Sequence, residues 1–141
     1  MNDAYHITQP IISKSDDDEY QTIFNNSIML NVSRGCTRGC RFCMSGYLYR
    51  PMRQTDYKKL IDIAIKTRKN TQLNKITLIG AAVSDYADLE KLITGLEDEG
   101  FQISTPSLRI ESITRNTLES LKRSGLKTIT LAPESIEKLR K

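Results

Sequence analysis

A chain of 141 residues, 38 % hydrophobic and 27 % charged with no tryptophan, has the composition of one ordinary domain with a modest core. No apolar run reaches the length of a membrane span, nothing at the N-terminus reads as a secretory signal, and an odd count of three cysteines argues against a disulfide framework, so the cytoplasm is the expected compartment. The net charge of +4 is uneven: Asp16-Asp17-Asp18-Glu19 makes the leader acidic, whereas ten cations between Arg34 and Lys69 face only Asp56 and Asp62.

Residues 1–26 lack hydrophobic periodicity and read as an acidic leader or linker; residues 27–141 read as the organised core. Ile28 to Val32 is a short apolar run, expected as a first strand that ends at a glycine-containing cysteine loop. Thr55 is expected to cap a helix whose Tyr57, Leu60, Ile61, Ala64 and Ile65 recur on one face. Ile76 to Gly80 reads as a second strand. Asp88 is expected to cap the next helix, with Leu89, Leu92, Ile93 and Leu96 on one side and Gly100 as its stop. A third strand is expected from Phe101 to Ile110, with an irregularity at Pro106. Thr114 begins a third helix, flanked by Ile113 and Leu118 at hydrophobic-staple positions and ended by Gly125. Leu126 to Ala132 reads as a fourth strand, and Ser135 as the cap of a further helix.

Strands alternating with helices through short connections predict an α/β fold with a parallel sheet. Most of the strands look apolar on both faces, as a sheet covered by helices requires. An uncovered parallel edge would invite association with another chain. Ligands in such folds collect at the C-terminal ends of the strands. The polar or glycine-rich runs all fall there: the cysteine loop, Gly80 to Tyr86, Ser107 to Arg109, and Pro133 to Ser135.

The cysteines carry the most specific signal. Cys36, Cys40 and Cys43 are spaced C-x3-C-x2-C. Three thiolates in so short a loop can hold a metal centre while leaving it one ligand short, and an open position marks chemistry more often than scaffolding. An iron–sulfur cube wants four ligands and so would keep one iron open. A closed zinc site also wants four, but the only histidine is His6, far upstream, and no carboxylate lies inside the loop. The expected metal centre is therefore iron–sulfur rather than zinc. Met29, Met44 and Met52 read as packing residues rather than ligands.

C-x3-C-x-aromatic-C, with Phe42 in the aromatic place, resembles the signature of the radical S-adenosylmethionine (SAM) enzymes. The longer run from Arg34 to Pro51 resembles a branch of largely uncharacterised members, some fused to a cobalamin-binding-type domain. Ser84-Asp85-Tyr86, Pro106-Ser107-Leu108-Arg109 and Ala132-Pro133-Glu134-Ser135 are similar to that branch too. The resemblance implies a partial (β/α) barrel, commonly of six strands, of which this chain supplies about four, as a fragment truncated after the fourth strand would.

It also implies roles. Cys36, Cys40 and Cys43 would ligate three irons of a [4Fe-4S] cluster. The fourth iron would chelate the amino and carboxylate groups of SAM, and reduction would cleave SAM to methionine and a 5′-deoxyadenosyl radical. The Phe42 backbone would lie near the adenine. Gly80 and Ala81 stand where relatives carry a Gly-Gly-Glu-like run that meets the SAM amino group; here no glutamate follows, and Ser84 and Asp85 come instead. Arg109 would pair with the SAM carboxylate, or with Glu111 as a plain ion pair. Glu134 and Ser135 would reach the ribose, or serve only a helix start. Tyr49-Arg50-Pro51 would line the cluster, or form a turn into the helix. A flavodoxin or ferredoxin would supply electrons. Cobalamin use does not follow from these residues, and neither does a substrate.

Two other readings compete. The chain is alternatively a zinc- or cluster-stabilised RNA-binding module that uses the basic stretch, although two tyrosines, Tyr47 and Tyr49, make no stacking platform. Or it is an inactive truncated relative that keeps the cluster loop without cleaving SAM.

Overall fold

A computed structural model describes residues 26–133. In chain order the elements are β1 (Ile28–Arg34), α1 (Ser45–Leu48), β2 (Arg53–Gln54), α2 (Tyr57–Thr71), β3 (Lys75–Gly80), α3 (Leu89–Asp98), β4 (Gln102–Ser104) and α4 (Arg115–Arg123), with 3-10 turns at Val83–Asp85 and Ile110–Ser112. The fold is α/β. Its four-stranded sheet runs β2-β1-β3-β4; β1, β3 and β4 are parallel, and β2 is antiparallel to β1. This is the architecture of a partial (β/α) unit. Among the described residues no helix is long and apolar enough to cross a membrane.

The core forms where strand alternation meets helical periodicity. Ile28, Leu30 and Val32 of β1 are buried, and the parallel register sets Ile28 beside Ile76 and Leu30 beside Leu78. Ile76 in turn lies beside Ile103 of β4. Leu60 and Ala64 of α2, Leu92, Ile93 and Leu96 of α3, and Leu121 of α4 join the same cluster. Arg123 of α4 pairs with Glu97 of α3, fastening the two helices at their exposed edge.

The sheet is not apolar on both faces, as the sequence suggests. Met29, Asn31 and Ser33 point to the other side of β1, where Ser33 is buried but Met29 is 58 % exposed. The helices' apolar stripes meet only the Ile28-Leu30-Val32 side, so the opposite side is free to carry polar groups.

Two caps and two strands also differ from expectation. Asp56, not Thr55, caps α2: its Oδ1 accepts from the N–H groups of Lys58 (3.0 Å) and Lys59 (3.3 Å). A carboxylate at this place gains from the helix dipole as well as the bonds. Thr55 is instead buried between strands; its N–H donates to the Val32 carbonyl, and its own carbonyl accepts from the Tyr86 hydroxyl (2.7 Å). Asp88 precedes α3 but makes no cap bond, because its carboxylate holds Lys91 at 2.7 Å. Thr114 does cap α4, accepting from the Thr117 N–H at 3.1 Å. Ile113 packs on the core while Leu118 stays exposed.

The third strand stops at Ser104 instead of reaching Ile110. Pro106 has no N–H to give a ladder. The fourth strand reduces to a single parallel bridge, Leu108 to Leu131, closed by Leu108 N–H to Thr130 O and Ala132 N–H to Leu108 O, each 2.9 Å. The short strand β2 is absent from the sequence reading.

Candidate metal and cofactor site

The cysteine loop is shaped by backbone packed on backbone. It leaves β1 at Gly35, whose φ of 83° suits glycine alone. A Cβ there would stand 2.0 Å from the Tyr49 carbonyl oxygen, and one on Gly46 would stand 1.8 Å from the Arg38 carbonyl oxygen. The loop therefore lies directly against α1 and the segment after it. Side chains fasten it: the Tyr47 hydroxyl donates to the Gly39 carbonyl (3.1 Å), and the Arg50 guanidinium to the Thr37 carbonyl (3.0 Å). Tyr49-Arg50-Pro51 is thus a support for the loop.

Cys36 is buried; Cys40 and Cys43 are half-buried. The Arg38 N–H points at the Cys36 sulfur from 3.4 Å. The Arg38 side chain reaches across to Asp85 with two bonds, Nε to Oδ2 at 2.8 Å and Nη2 to Oδ1 at 2.7 Å. Hydrogen bonding to Asp85 raises the Arg38 pKa, and the Cys36 and Cys40 thiols add to it. The same bonds hold the Asp85 carboxyl below the usual aspartate range against its partial burial, with further help from Arg109.

Asp85 belongs to the turn after β3, and β2 holds that turn from the other side. Gln54 Nε2 donates to the Asp85 carbonyl (3.2 Å), and Gln54 Oε1 accepts from the Ala87 N–H (3.2 Å). Burial, with the charge of Asp88 behind it, pushes the neighbouring Tyr86 phenol well up, so its hydroxyl stays a donor to Thr55. The cysteine loop and the turn after β3 thus face each other, joined by the Arg38–Asp85 clasp.

Cys36, Cys40, Cys43 and Phe42 line a cleft of about 330 Å³ with Gly80, Ala81, Ser84, Asp85 and Arg109. The strand-end rule thus brings together every candidate residue within the described range. Their individual duties are plainer than the resemblance implies. A side chain on Gly80 would meet Ser33 Oγ at 2.9 Å and Ser33 O at 3.2 Å, so Gly80 is bare in order to pack on β1. Ser84 is buried, and its Oγ accepts from the Arg109 N–H at 3.2 Å, tying the segment after β4 to the turn after β3. Arg109 lies 3.7 Å from the Glu111 carboxylate, a loose pair that leaves the guanidinium on the cleft wall. Glu134 and Ser135 lie outside the described residues. Met29 and Met44 are exposed rather than packed.

Among the described residues no three His, Cys, Asp or Glu side chains converge closely enough to hold a single metal ion. The three thiols line one cleft, and three sulfur donors are of the type an iron–sulfur cluster takes.

Arg38 and Asp85, 47 residues apart, are the pair that sequence reasoning missed. Their neighbourhoods stood out, one as a basic run and the other as Ser84-Asp85-Tyr86, but no spacing rule joins them.

A family model described as the radical SAM superfamily matches residues 30–141. An uncharacterized protein of Methanocaldococcus jannaschii is 36 % identical over 133 residues, which make up 94 % of this chain and 28 % of that relative. The chain therefore spans little more than a quarter of the relative's length.

Proposed function

Because the chain belongs to the radical SAM superfamily, we propose that it is the N-terminal part of a (β/α) core that binds a [4Fe-4S] cluster and SAM in the cleft between the cysteine loop and the ends of β3 and β4. Cys36, Cys40 and Cys43 are the cluster ligands. The Phe42 backbone flanks the adenine, the bare Gly80-Ala81 rim admits the SAM amino group, and Arg109 meets its carboxylate. Ser84 positions Arg109 through its backbone N–H. Glu134 and Ser135 are assigned to the ribose by resemblance alone. A cluster held there by Cys36, Cys40 and Cys43 would supply the one-electron chemistry that cleaves SAM for substrate modification.

The supporting observation is convergence: three cysteines and two strand ends, separated by up to 73 residues between Cys36 and Arg109, line one cleft. Protein side chains supply binding, orientation and shielding there, and the cofactors supply the redox step. The test is anaerobic reconstitution with iron and sulfide, followed by dithionite and SAM. The expected result is a brown protein with about four irons per chain that forms 5′-deoxyadenosine. A colourless chain that takes up one zinc and no iron would overturn the reading. Iron uptake without 5′-deoxyadenosine would mark an inactive cluster-binding relative.

A further inference from the structure

Among the described residues three charged side chains line the cofactor cleft: Arg38, Asp85 and Arg109. Arg38 stands in the sequence between two proposed cluster ligands, Cys36 and Cys40. Its N–H points at the Cys36 sulfur from 3.4 Å, and its guanidinium crosses to Asp85 through two bonds of 2.8 and 2.7 Å. Hydrogen bonding to Asp85 raises the Arg38 pKa most, and the charges of the Cys36 and Cys40 thiols raise it further. One positive charge therefore lies within electrostatic reach of two sulfurs on one side and of a carboxylate on the other.

That carboxylate is fixed as well. The Asp85 side chain is 9 % exposed. Gln54 of β2 holds its turn, donating to the Asp85 carbonyl and accepting from the Ala87 N–H, each at 3.2 Å. The bidentate fork in turn keeps the planar guanidinium in one geometry. A charge held in place beside a partly buried site acts on its neighbours more strongly than a mobile, solvated one. As a brace the pair contributes little to stability, because the Arg38 side chain is half exposed. Its place beside the sulfurs points to an effect on the centre they hold.

We propose that Arg38 and Asp85 are positioning residues that set the reduction potential of the cluster: the Arg38 charge draws it upward, and the Asp85 charge offsets Arg38 and holds it low. The inference rests on the cluster reading given above. Net charge around a cluster and hydrogen bonds to its sulfurs set its potential. Reduction adds one electron, hence one negative charge, and moves no atom. A cation close by favours that added charge, and an anion opposes it. With both residues present the two effects largely cancel. The loop thus keeps an arginine as a fastener without making its cluster a weaker reductant.

The test breaks one clasp from its two ends. Wild type, Arg38→Gln, Asp85→Asn and Arg38→Lys are each reconstituted with iron and sulfide. Midpoint potentials are read from a dithionite titration with redox mediators, followed by electron paramagnetic resonance at low salt and without SAM. Dithionite supplies each electron and is oxidised in step. A brace has no sign, so losing it from either end would move the potential the same way. A charge has one. Arg38→Gln is expected to lower the potential and Asp85→Asn to raise it. Each shift is expected to be about tenfold in the equilibrium between oxidised and reduced cluster, or about 59 mV for one electron. Both shifts should shrink as salt rises. Arg38→Lys keeps the charge without the fork and is expected to stay near the wild-type potential even where iron retention falls. Shifts of Arg38→Gln and Asp85→Asn in the same direction, or no shift in either, would overturn the proposal. So would failure of all three variants to hold a cluster, because the clasp would then be a brace alone. Where only one of Arg38→Gln and Asp85→Asn loads iron, it is judged against Arg38→Lys, and equal shifts in the two overturn the proposal. An iron-free wild type would remove the cluster reading itself, and is recognised by the lack of visible absorbance before any titration.

Discussion

The helix-covered side of the sheet and the cysteine loop are built on opposite rules. On the sheet, Leu30, Leu78, Leu92 and Leu96 are buried against one another, and apolar area removed from water supplies the stability. In the loop, Phe42, Met44 and Leu48 point outward, while shape comes from bare glycines pressed on carbonyls and from the Arg38–Asp85 clasp. One region is specified by the side chains it has, the other by the side chains it lacks. The first tolerates small changes of volume. The second tolerates none at Gly35 or Gly46, where a Cβ would meet a carbonyl oxygen. Stability and cofactor capacity should therefore be separable by mutation.

The sharpest way to break that contrast is Gly46→Ala. Its methyl group has no room beside the Arg38 carbonyl. We expect most iron uptake to be lost in anaerobic reconstitution, while the urea midpoint moves by less than about 1 kcal/mol equivalent. Full iron loading in this variant would show that the loop is not held as described. The converse variant, Leu30→Ala, should cost about 3 kcal/mol in denaturant unfolding. Below its unfolding transition it should still load iron.

Asp85→Asn tests the link between the two regions. A half-exposed bidentate pair is worth about 1 kcal/mol, so we expect a small stability loss and a larger loss of iron retention. The pH dependence carries a definite sign. The Asp85 pKa is lowered on folding from an ordinary value of 3.8, so its contribution is complete above that value and fades as pH falls through the folded value. The wild-type chain should lose stability on that acid limb more steeply than Asp85→Asn. Parallel acid limbs would show that the clasp is absent in solution.

The smallest expected effects separate the two residues before α2. Asp56→Ala removes the cap and should cost about 1 kcal/mol by thermal unfolding. The Thr55 Oγ1 is buried without a partner, so Thr55→Val should be close to neutral or stabilising. A loss at Thr55 larger than at Asp56 would restore Thr55 as the cap.

What the sequence revealed follows the same division. β1, β3, α2, α3 and α4 were legible because periodic burial writes itself into the chain, and Gly100 and Gly125 end α3 and α4 as expected, with φ of 76° and 91°. β2 was not legible, since two residues cannot alternate; it exists because Arg53 and Gln54 find Arg34 and Ser33. The end of α2 was equally silent, because Gln72, at φ 62°, takes the left-handed place that glycine usually fills. In the site, the cysteines were legible because their chemistry is rare and their spacing local. The groups that organise them act at long range. Arg38 finds Asp85, Gln54 finds Ala87, and Gly46 finds the Arg38 carbonyl through the fold alone.

The central claim is that the loop and the strand ends jointly hold a cluster with an iron open to SAM. Electron paramagnetic resonance of the reconstituted, dithionite-reduced chain tests it most directly, recorded with and without SAM. The expected result is a reduced-cluster signal in both samples whose shape changes when SAM is added. A signal indifferent to SAM, or no signal from an iron-free chain, would contradict it.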